Sequence, residues 1–217
     1  MGAGVLPVAF THSRKTGRLT AKFLFSRERV GSKSRASGQW SDFGGRPEAE
    51  ELPIETAARE ASEESMGILG TPMEILEMLQ GPRKIGEVRL DHNNRNSYVT
   101  YLLEIDYDET LPLKFKNLYE SSSVDLRGVN GLFEKDRAMW VDTRFRAIKD
   151  LSRSRGVFQN EIYGFRRWYT KIALAATGVI CRDIERRSII EANPRNRKYE
   201  SVSIEDRQFV QSTATAK

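Results

Sequence analysis

The sequence predicts an α/β fold, in which helices pack on a β-sheet, on three observations. Segments rich in β-branched and aromatic residues alternate along the chain with segments whose apolar residues recur at helical spacing. The length of 217 residues suits one substantial core. With 39% hydrophobic and 30% charged residues the composition is globular, and no apolar run approaches the roughly 18 residues of a membrane span, so we expect no membrane partner.

The N-terminal region is predicted to form three strands. Residues 2–10 and 19–28 have strand-like apolar patterns, and a turn-like segment joins them, so we expect an antiparallel pair. Residues 40–43 (WSDF) predict a short third strand that runs into the glycine pair Gly44 and Gly45.

A helix is predicted after the glycine pair, from about Pro53 to Met66. Pro53 suits the first helical position, where its missing N–H costs nothing, and Gly67 suits the residue just past the end. Residues 72–80 are compatible with a short helix or a strand. Residues 96–107 predict a strand because aromatic and β-branched residues dominate the segment.

The last third of the chain is predicted to add a strand and a helix. Residues 137–141 predict the strand, and residues 158–176 place apolar side chains at helical spacing, with Gly178 as a stop signal. We therefore expect the domain to cover residues 1–178. Residues 179–217 are expected to form a polar, helical and partly disordered tail.

Charge is distributed unevenly along the chain, whose net charge is +5. Residues 1–40 carry eight Lys or Arg against one Glu, and residues 144–172 carry another eight against two acidic residues. Between them, residues 44–67 carry seven Glu against two Arg. An acidic centre between basic blocks favours a bound cation together with an anionic substrate, although unrelated solvated faces would give the same totals.

Three of the seven glutamates are predicted to project from one face of the helix. Glu60, Glu63 and Glu64 stand at i, i+3 and i+4, so a rotation of about 100° per residue brings their carboxylates together. Their mutual repulsion is unfavourable unless a cation neutralises it, and hard cations such as Mg²⁺ prefer oxygen ligands. The pattern therefore indicates a divalent metal site, and a solvated acidic surface is the alternative for this stretch taken alone.

The spacing around this helix resembles the signature of the Nudix hydrolases. Six demanding positions match it, namely Gly45, Glu51, Arg59, Glu60, Glu63 and Glu64. At background residue frequencies, a chance match within the chain is on the order of 10⁻⁵. The closing glycine of the signature would fall on Met66, and we interpret Gly67 as a helix end displaced by one residue.

The resemblance implies a Nudix-type α/β/α sandwich with a mixed β-sheet. It also implies hydrolysis of a nucleoside diphosphate derivative with Mg²⁺ or Mn²⁺ as the cofactor. The implied metal ligands are the Gly45 carbonyl, Glu60, Glu63 and Glu64. Glu51 and Arg59 are expected to orient the loop and the helix through an ion pair. The segments GAGVLPVAF and SDFGG are also similar to Nudix proteins of large DNA viruses.

Further catalytic and substrate-binding residues have several candidates. The candidates for the general base within the signature are Glu60 and Glu64. Members of the family also take the base from a distal loop, which would correspond to the segment FEKDR here. The candidates in that segment are Glu134 and Asp136. Substrate contacts are predicted for Arg27, Arg29 and Lys33, which would bind phosphate, and for Trp40, which would stack on a base. Solvated cationic side chains and a core tryptophan are the alternatives.

The basic flanks favour a long anionic substrate, so the predicted reaction is removal of the 5′ cap from mRNA, with hydrolysis of a small nucleotide nearly as well supported. A non-catalytic nucleotide- or RNA-binding module of the same fold is the alternative function. The single Cys181 cannot form an internal disulfide, and no secretory leader is evident, so we expect a reducing, cytoplasmic location.

Overall fold

The computed structural model describes residues 1–32, 35–92, 96–122, 133–153, 164–166 and 168–192. The strands of this part of the chain are β1 (Gly2–His12), β2 (Leu19–Glu28), β3 (Trp40–Ser41), β4 (Phe43–Gly45), β5 (Lys84–His92), β6 (Asn96–Glu104) and β7 (Lys135–Asp142). The helices are α1 (Pro53–Glu64), α2 (Pro72–Gln80), α3 (Leu111–Ser121), α4 (Phe145–Arg153) and α5 (Tyr169–Ala192).

Strand β1 lies at the centre of the sheet that these seven strands form. It pairs antiparallel with β2 and β4, and parallel with β6. On the outer sides, β3 and β7 pair antiparallel with β2, and β5 pairs antiparallel with β6. The predicted β1–β2 pair is therefore confirmed, and the parallel β1–β6 pair makes the sheet mixed, as expected.

Helices cover both faces of the sheet. Side chains of successive strand residues point to opposite faces, so Leu24 lies on one face, and Phe23 and Phe25 lie on the other. Helices α1, α2 and α3 pack on the face that carries Leu24, and α4 and α5 pack on the opposite face. The expected α/β/α sandwich is confirmed. None of the described helices is both long enough and apolar enough to cross a membrane.

The long C-terminal helix differs from its predicted bounds. Helix α5 begins at Tyr169 and continues to Ala192, so Gly178 does not end it. Ile180 is fully buried beyond the glycine, and packing on the sheet outweighs the low helix propensity of Gly178. Residues 154–163, where the predicted helix begins, lie outside the described residues. The domain boundary expected at residue 178 falls within α5, and the division into two regions stays a prediction.

Strand β5 and helix α4 were not predicted, helix α3 is longer than the one or two turns that residues 115–121 indicated, and one ambiguous segment is resolved. Strand β5 alternates charged and apolar residues and carries a register shift between Lys84 and Gly86, so its apolar content was too low to predict a strand. Residues 72–80 form helix α2, which Thr71 caps by accepting a hydrogen bond from the Glu74 N–H.

The end of α1 corrects the interpretation of Gly67. The helix ends at Glu64, and Met66 adopts a φ of 55°, the left-handed conformation that glycine favours at this position after a helix. Gly67 follows with a φ of 76°, and its N–H donates to the Ser62 carbonyl over 2.8 Å. The predicted displacement of the helix end to Gly67 is therefore wrong, because the helix ends at Glu64 and Met66 itself already takes a left-handed conformation.

Candidate active site

A cavity of about 1090 Å³ opens where α1, the turn before it, and the ends of β2 and β7 meet. Six glutamates and four arginines line it, namely Glu28, Glu48, Glu60, Glu63, Glu64, Glu134, Arg29, Arg46, Arg59 and Arg166. Gly44 and Gly45 of β4 contribute backbone to the wall. The described part of the chain thus concentrates charge of both signs in one cavity.

Helix α1 carries three of these glutamates, and its small residues bring it close to the sheet. Pro53 occupies the first turn, and the Glu55 carboxylate accepts a 2.8 Å hydrogen bond from the Leu52 N–H, which caps the helix. Ala57 and Ala61 are fully buried against the sheet. The opposite part of the helix surface is therefore left to face the cavity.

Glu60 lies against the backbone of Gly45. A Cβ atom at residue 45 would collide with the Glu60 carboxylate, so any other residue there would require this carboxylate to move. Burial raises the pKa of Glu60, and the nearby charges of Glu63 and Glu134 add to the shift, while Arg59 opposes it. The Gly45 backbone and the Glu60 carboxylate are thus brought together, as the sequence predicted.

Glu64 is only 2% exposed, and both of its carboxylate oxygens are held by the protein. Oε2 accepts a 2.6 Å hydrogen bond from the Gly44 N–H, and Oε1 lies 3.2 Å from the Lys135 ammonium. Burial raises the pKa of Glu64 to about 8; Lys135 opposes this shift, and the charges of Glu60 and Glu28 add to it.

Glu63 is the most exposed carboxylate of the three, with 28% of its side chain accessible. It accepts a 3.0 Å hydrogen bond from Arg59 Nη1, and Arg59 Nη2 also lies 3.1 Å from Glu60 Oε1. The same guanidinium binds both oxygens of Glu51, so Arg59 joins the turn before α1 to two carboxylates of the helix. This geometry agrees with the predicted Glu51–Arg59 ion pair.

The donor set of the cavity fits a hard divalent cation in its chemistry. Its carboxylates and the Gly45 backbone offer oxygen ligands. Burial and repulsion raise the pKa values of Glu60 and Glu64, and a bound cation would stabilise the charged forms of both carboxylates. Among the described residues, no three His, Cys, Asp or Glu side chains already converge as a metal cluster. Arg59 instead contacts Glu60 and Glu63, and Lys135 contacts Glu64.

Two predicted substrate-binding residues lie away from the cavity wall. Trp40 is 4% exposed and belongs to the core under α5, which disagrees with stacking on a base. Arg27 is buried, and its Nε donates to Asp136 Oδ1 over 2.7 Å. Asp136, an alternative candidate for the general base, also accepts a hydrogen bond from the Val30 N–H. The Arg27–Asp136 pair thus joins β2 to β7.

Two other predicted residues do line the cavity. Arg29 and Glu134 face it from the ends of β2 and β7, and the Arg29 N–H donates to the Glu134 carbonyl over 2.8 Å. Glu134 is exposed. Lys33, the remaining predicted phosphate ligand, lies outside the described residues.

Sequence reasoning missed five charged residues of the site, and one of them, Glu48, lines the cavity from the turn before α1. Arg46 lines the cavity directly after Gly45, and Glu28 and Lys135 meet beneath it through a 3.0 Å ion pair. Arg166 reaches the cavity because residues 164–166 pair with Trp40 through backbone hydrogen bonds. Arg46 and Glu48 lie between the glycine pair and the predicted helix, where a local signal could have indicated them. Strand pairings that no local pattern encodes bring in Glu28, Lys135 and Arg166.

Comparison with known proteins gives one match to a protein family. Residues 9–143, more than half of the chain, match the family model described as the NUDIX domain. Arg166 lies outside the matched region. Among curated protein sequences, none matches this chain at a significant level.

Several solved structures are similar in fold at low identity. An Ap4A hydrolase from C. elegans, solved as a binary complex, is 17% identical, with a TM-score of 0.33 over 50% of this chain and 68% of that chain. A bifunctional NMN adenylyltransferase/ADP ribose pyrophosphatase from Francisella tularensis, complexed with AMP and a Mn ion, is 15% identical, with a TM-score of 0.45. The similar region covers 82% of this chain and 41% of that chain, so it is under half of the Francisella protein. A mutT/nudix family protein from Listeria innocua is 11% identical, with a TM-score of 0.44 over 84% of this chain and 94% of that chain.

Proposed function

The chain belongs to the NUDIX family, and from that premise we propose that it is a pyrophosphohydrolase that cleaves the diphosphate bridge of a nucleoside diphosphate derivative. The observation that carries the proposal is one shared cavity. Glu60, Glu63 and Glu64 line it together with Arg29 and Arg46, two guanidinium groups that have no side-chain partner in the described part of the chain. Carboxylates for a cation and free guanidinium groups for phosphate therefore face the same space.

Nudix hydrolases generally depend on a divalent metal, and Mg²⁺ or Mn²⁺ is the proposed cofactor. Its ligands would be Glu60, Glu63, Glu64 and the Gly45 carbonyl, which all belong to the cavity wall. When bound, such an ion neutralises charge on the diphosphate and lowers the pKa of a coordinated water.

The side chains of the cavity would bind substrate and accept the proton. Arg29 and Arg46 would donate to the phosphate oxygens, because a planar guanidinium matches phosphate geometry. Glu134 is exposed at the cavity wall and close enough to Glu60 to raise its pKa, so it is the proposed general base. Water attacks one phosphorus atom and gives its proton to the base. The bond from that phosphorus to the bridging oxygen breaks, and the departing phosphate keeps the electron pair.

The proposed substrate is an RNA carrying a 5′ cap, with small dinucleotides and nucleoside triphosphates as the next candidates. The basic stretches 1–40 and 144–172 would attract a long polyanion. Two of their arginines, Arg29 and Arg166, stand at the cavity itself. The basic surface would then extend the contact beyond the diphosphate that is cleaved.

A substrate panel tests the proposal. The purified protein is incubated with Mg²⁺ or Mn²⁺ and with capped RNA, NADH, ADP-ribose, dinucleoside polyphosphates or dNTPs, and the products are separated by chromatography. We expect at least one substrate to be split into two phosphate-bearing products, and a chelator to stop the reaction. A protein that binds one compound tightly but turns over none would be the non-catalytic binding module instead, and the hydrolase proposal would fail.

A further inference from the structure

Four charged side chains form a quartet at the base of the cavity, namely Glu28, Glu64, Lys135 and Arg166. The first two and Arg166 line the cavity, and Lys135 lies beneath them. Lys135 is fully buried at its centre, and its Nζ lies 3.0 Å from Glu28 Oε2 and 3.2 Å from Glu64 Oε1. Arg166 Nη2 lies 2.6 Å from the same oxygen of Glu28. The quartet contains two carboxyl groups and two cationic groups, and it joins β2, α1, β7 and residues 164–166.

Stability alone is a poor explanation for the quartet. Removing charges from water carries a large desolvation penalty, and well-packed apolar residues often stabilise a fold as much or more. The contacts of Glu64 suggest a different purpose. The Gly44 N–H binds Oε2 and the Lys135 ammonium binds Oε1, so the carboxylate is held at both oxygens. Without Lys135, one of its two oxygens would have no partner of this kind.

We propose that Lys135 is a positioning residue, whose ammonium group fixes the Glu64 carboxylate in the orientation that a divalent cation requires. This inference rests on the function proposed above, in which Glu64 is a metal ligand. Lys135 itself lies below the cavity wall and acts through Glu64. Comparable partners of metal-binding side chains change metal affinity by about 10–100-fold when they are removed.

The competing explanation is that Lys135 only balances charge in the interior. The two roles separate in a set of three variants, Lys135→Met, Glu28→Gln and the double variant that combines them. Lys135→Met leaves two buried carboxylates with Arg166 as their only cation. The double variant restores equal numbers of carboxyl and cationic groups, since Glu64 and Arg166 remain, but it leaves Glu64 without its ammonium partner.

The readouts are thermal unfolding without metal and the dissociation constant for Mn²⁺ alone, measured by calorimetry. We expect Lys135→Met to lower Tm by roughly 10 °C, because a buried charge pair is broken, and the double variant to recover most of that loss. The Mn²⁺ dissociation constant of the double variant should stay at least about 10-fold higher than that of Glu28→Gln alone. Recovery of stability without recovery of affinity is the result that supports positioning.

Equal Mn²⁺ affinities for Glu28→Gln and the double variant would overturn the inference, since charge balance would then suffice. A double variant that stays unfolded would overturn the inference too, because Lys135 would then be required for folding even when Glu28 has lost its charge. Arg187→Met is the matched control: this arginine also bridges two carboxylates, Glu104 at 3.0 Å and Asp183 at 2.7 Å, but far from the cavity wall. It should lose stability and keep Mn²⁺ affinity. Wild-type protein that binds no Mn²⁺ would instead overturn the proposed function.

Discussion

Arg59 and Glu51 form a bidentate ion pair, with Arg59 Nε 2.7 Å from Glu51 Oε1 and Nη2 3.1 Å from Oε2. The hydrogen bond from Arg59 is the main reason that the pKa of Glu51 falls to about 2. Because the same guanidinium also binds Glu60 and Glu63, it links the turn before α1 to the carboxylates of the cavity. The pair thus sets the position of the helix face that carries the proposed metal ligands.

Arg59→Lys should therefore lower kcat by about 10–100-fold, because an ammonium keeps the charge but cannot bind Glu51 through two parallel bonds and still reach the helix carboxylates. Steady-state kinetics on the substrate found in the panel measures the effect. The control is Arg186→Lys on α5, where the arginine pairs with Asp183 away from the cavity wall. Equal rates for Arg59→Lys and the wild type would show that the fork geometry has no role.

Glu63→Gln and Glu64→Gln should each lower turnover at least about 100-fold, since each removes a carboxylate proposed to bind the cation. Glu63 is partly exposed, so its variant should keep the wild-type free energy of unfolding, whereas Glu64→Gln also removes an ion pair of Lys135. The same change at the exposed Glu77 of α2 is the control. Wild-type rates for both cavity variants would eliminate the proposed metal ligands.

Trp40 should behave as a core residue. Because the side chain is 4% exposed, Trp40→Ala should lower the free energy of unfolding by about 3–5 kcal/mol. The milder Trp40→Phe should leave KM for the nucleotide substrate unchanged within about twofold, since no stacking contact is lost. Denaturant titration and steady-state kinetics give the two values. A large rise in KM at unchanged stability would restore the stacking role that the sequence predicted.

Asp42 should make stability depend on pH in an unusual direction for a carboxylate. Burial raises its pKa from 3.8 to about 6, although Thr100 and Tyr98 donate hydrogen bonds to its oxygens. The folded state therefore binds the proton more tightly than the unfolded state. The contribution of Asp42 favours folding below about pH 4 and is lost as pH rises through about 6, a change of at most about 3 kcal/mol.

Asp42→Asn removes this titration, so the difference in unfolding free energy between wild type and variant should fall as pH rises from about 4 to 6. Asp108→Asn is a control, because the pKa of Asp108 is shifted in the opposite direction. The hydrogen bond from Lys114 is the main cause that lowers the pKa of Asp108 to about 2, so its stabilising contribution is lost as the pH falls from 3.8 to about 2. Denaturant titrations from about pH 2 to pH 6 measure the differences in unfolding free energy for both variants. A pH-independent difference for Asp42→Asn would contradict the shifted pKa.

Replacing Gly67 and Gly178 with alanine should change the stability of the protein in opposite directions. Gly67 has a φ of 76° and open space around its Cα, so Gly67→Ala should cost about 1–2 kcal/mol of stability through the backbone alone. Gly178 lies inside α5, where an added methyl group would meet Arg182 at an ordinary 3.8 Å, and alanine there should gain about 0.5–1 kcal/mol. Thermal unfolding measures both. Stabilisation by Gly67→Ala would contradict the left-handed turn.

The sequence predicted those parts of the fold that local patterns encode. Strand β2 matches its predicted range, 19–28, because apolar residues and a turn define it within a few neighbours. Helix α1 was predicted from its end signals, Pro53 and Gly67, and its end was misplaced because a non-glycine residue, Met66, adopts the left-handed conformation. The long helix was cut short at Gly178, since burial against the sheet is a tertiary effect.

The candidate site was predictable chiefly where its residues are near neighbours in the chain, although the predicted Arg29 and Glu134, which are distant in sequence, also line the cavity. The Glu51–Arg59 pair and the carboxylates of α1 follow from one turn and one helix. Lys135 could not be identified, because its partner Glu28 is 107 positions away and a lysine is ordinarily exposed. The burial of Trp40 could not be predicted for a similar reason, since it depends on strand pairing and on α5.

The pairing of β2 with β7 also affects the order in which contacts of the cavity can form during folding. A nascent chain that has emerged from the ribosome only as far as α3 already exposes Glu28 and Glu64, but the lysine that contacts both of them has not yet emerged. Contacts of such long sequence separation close slowly. We therefore expect the floor of the cavity to be among the last regions to gain protection from hydrogen exchange during refolding.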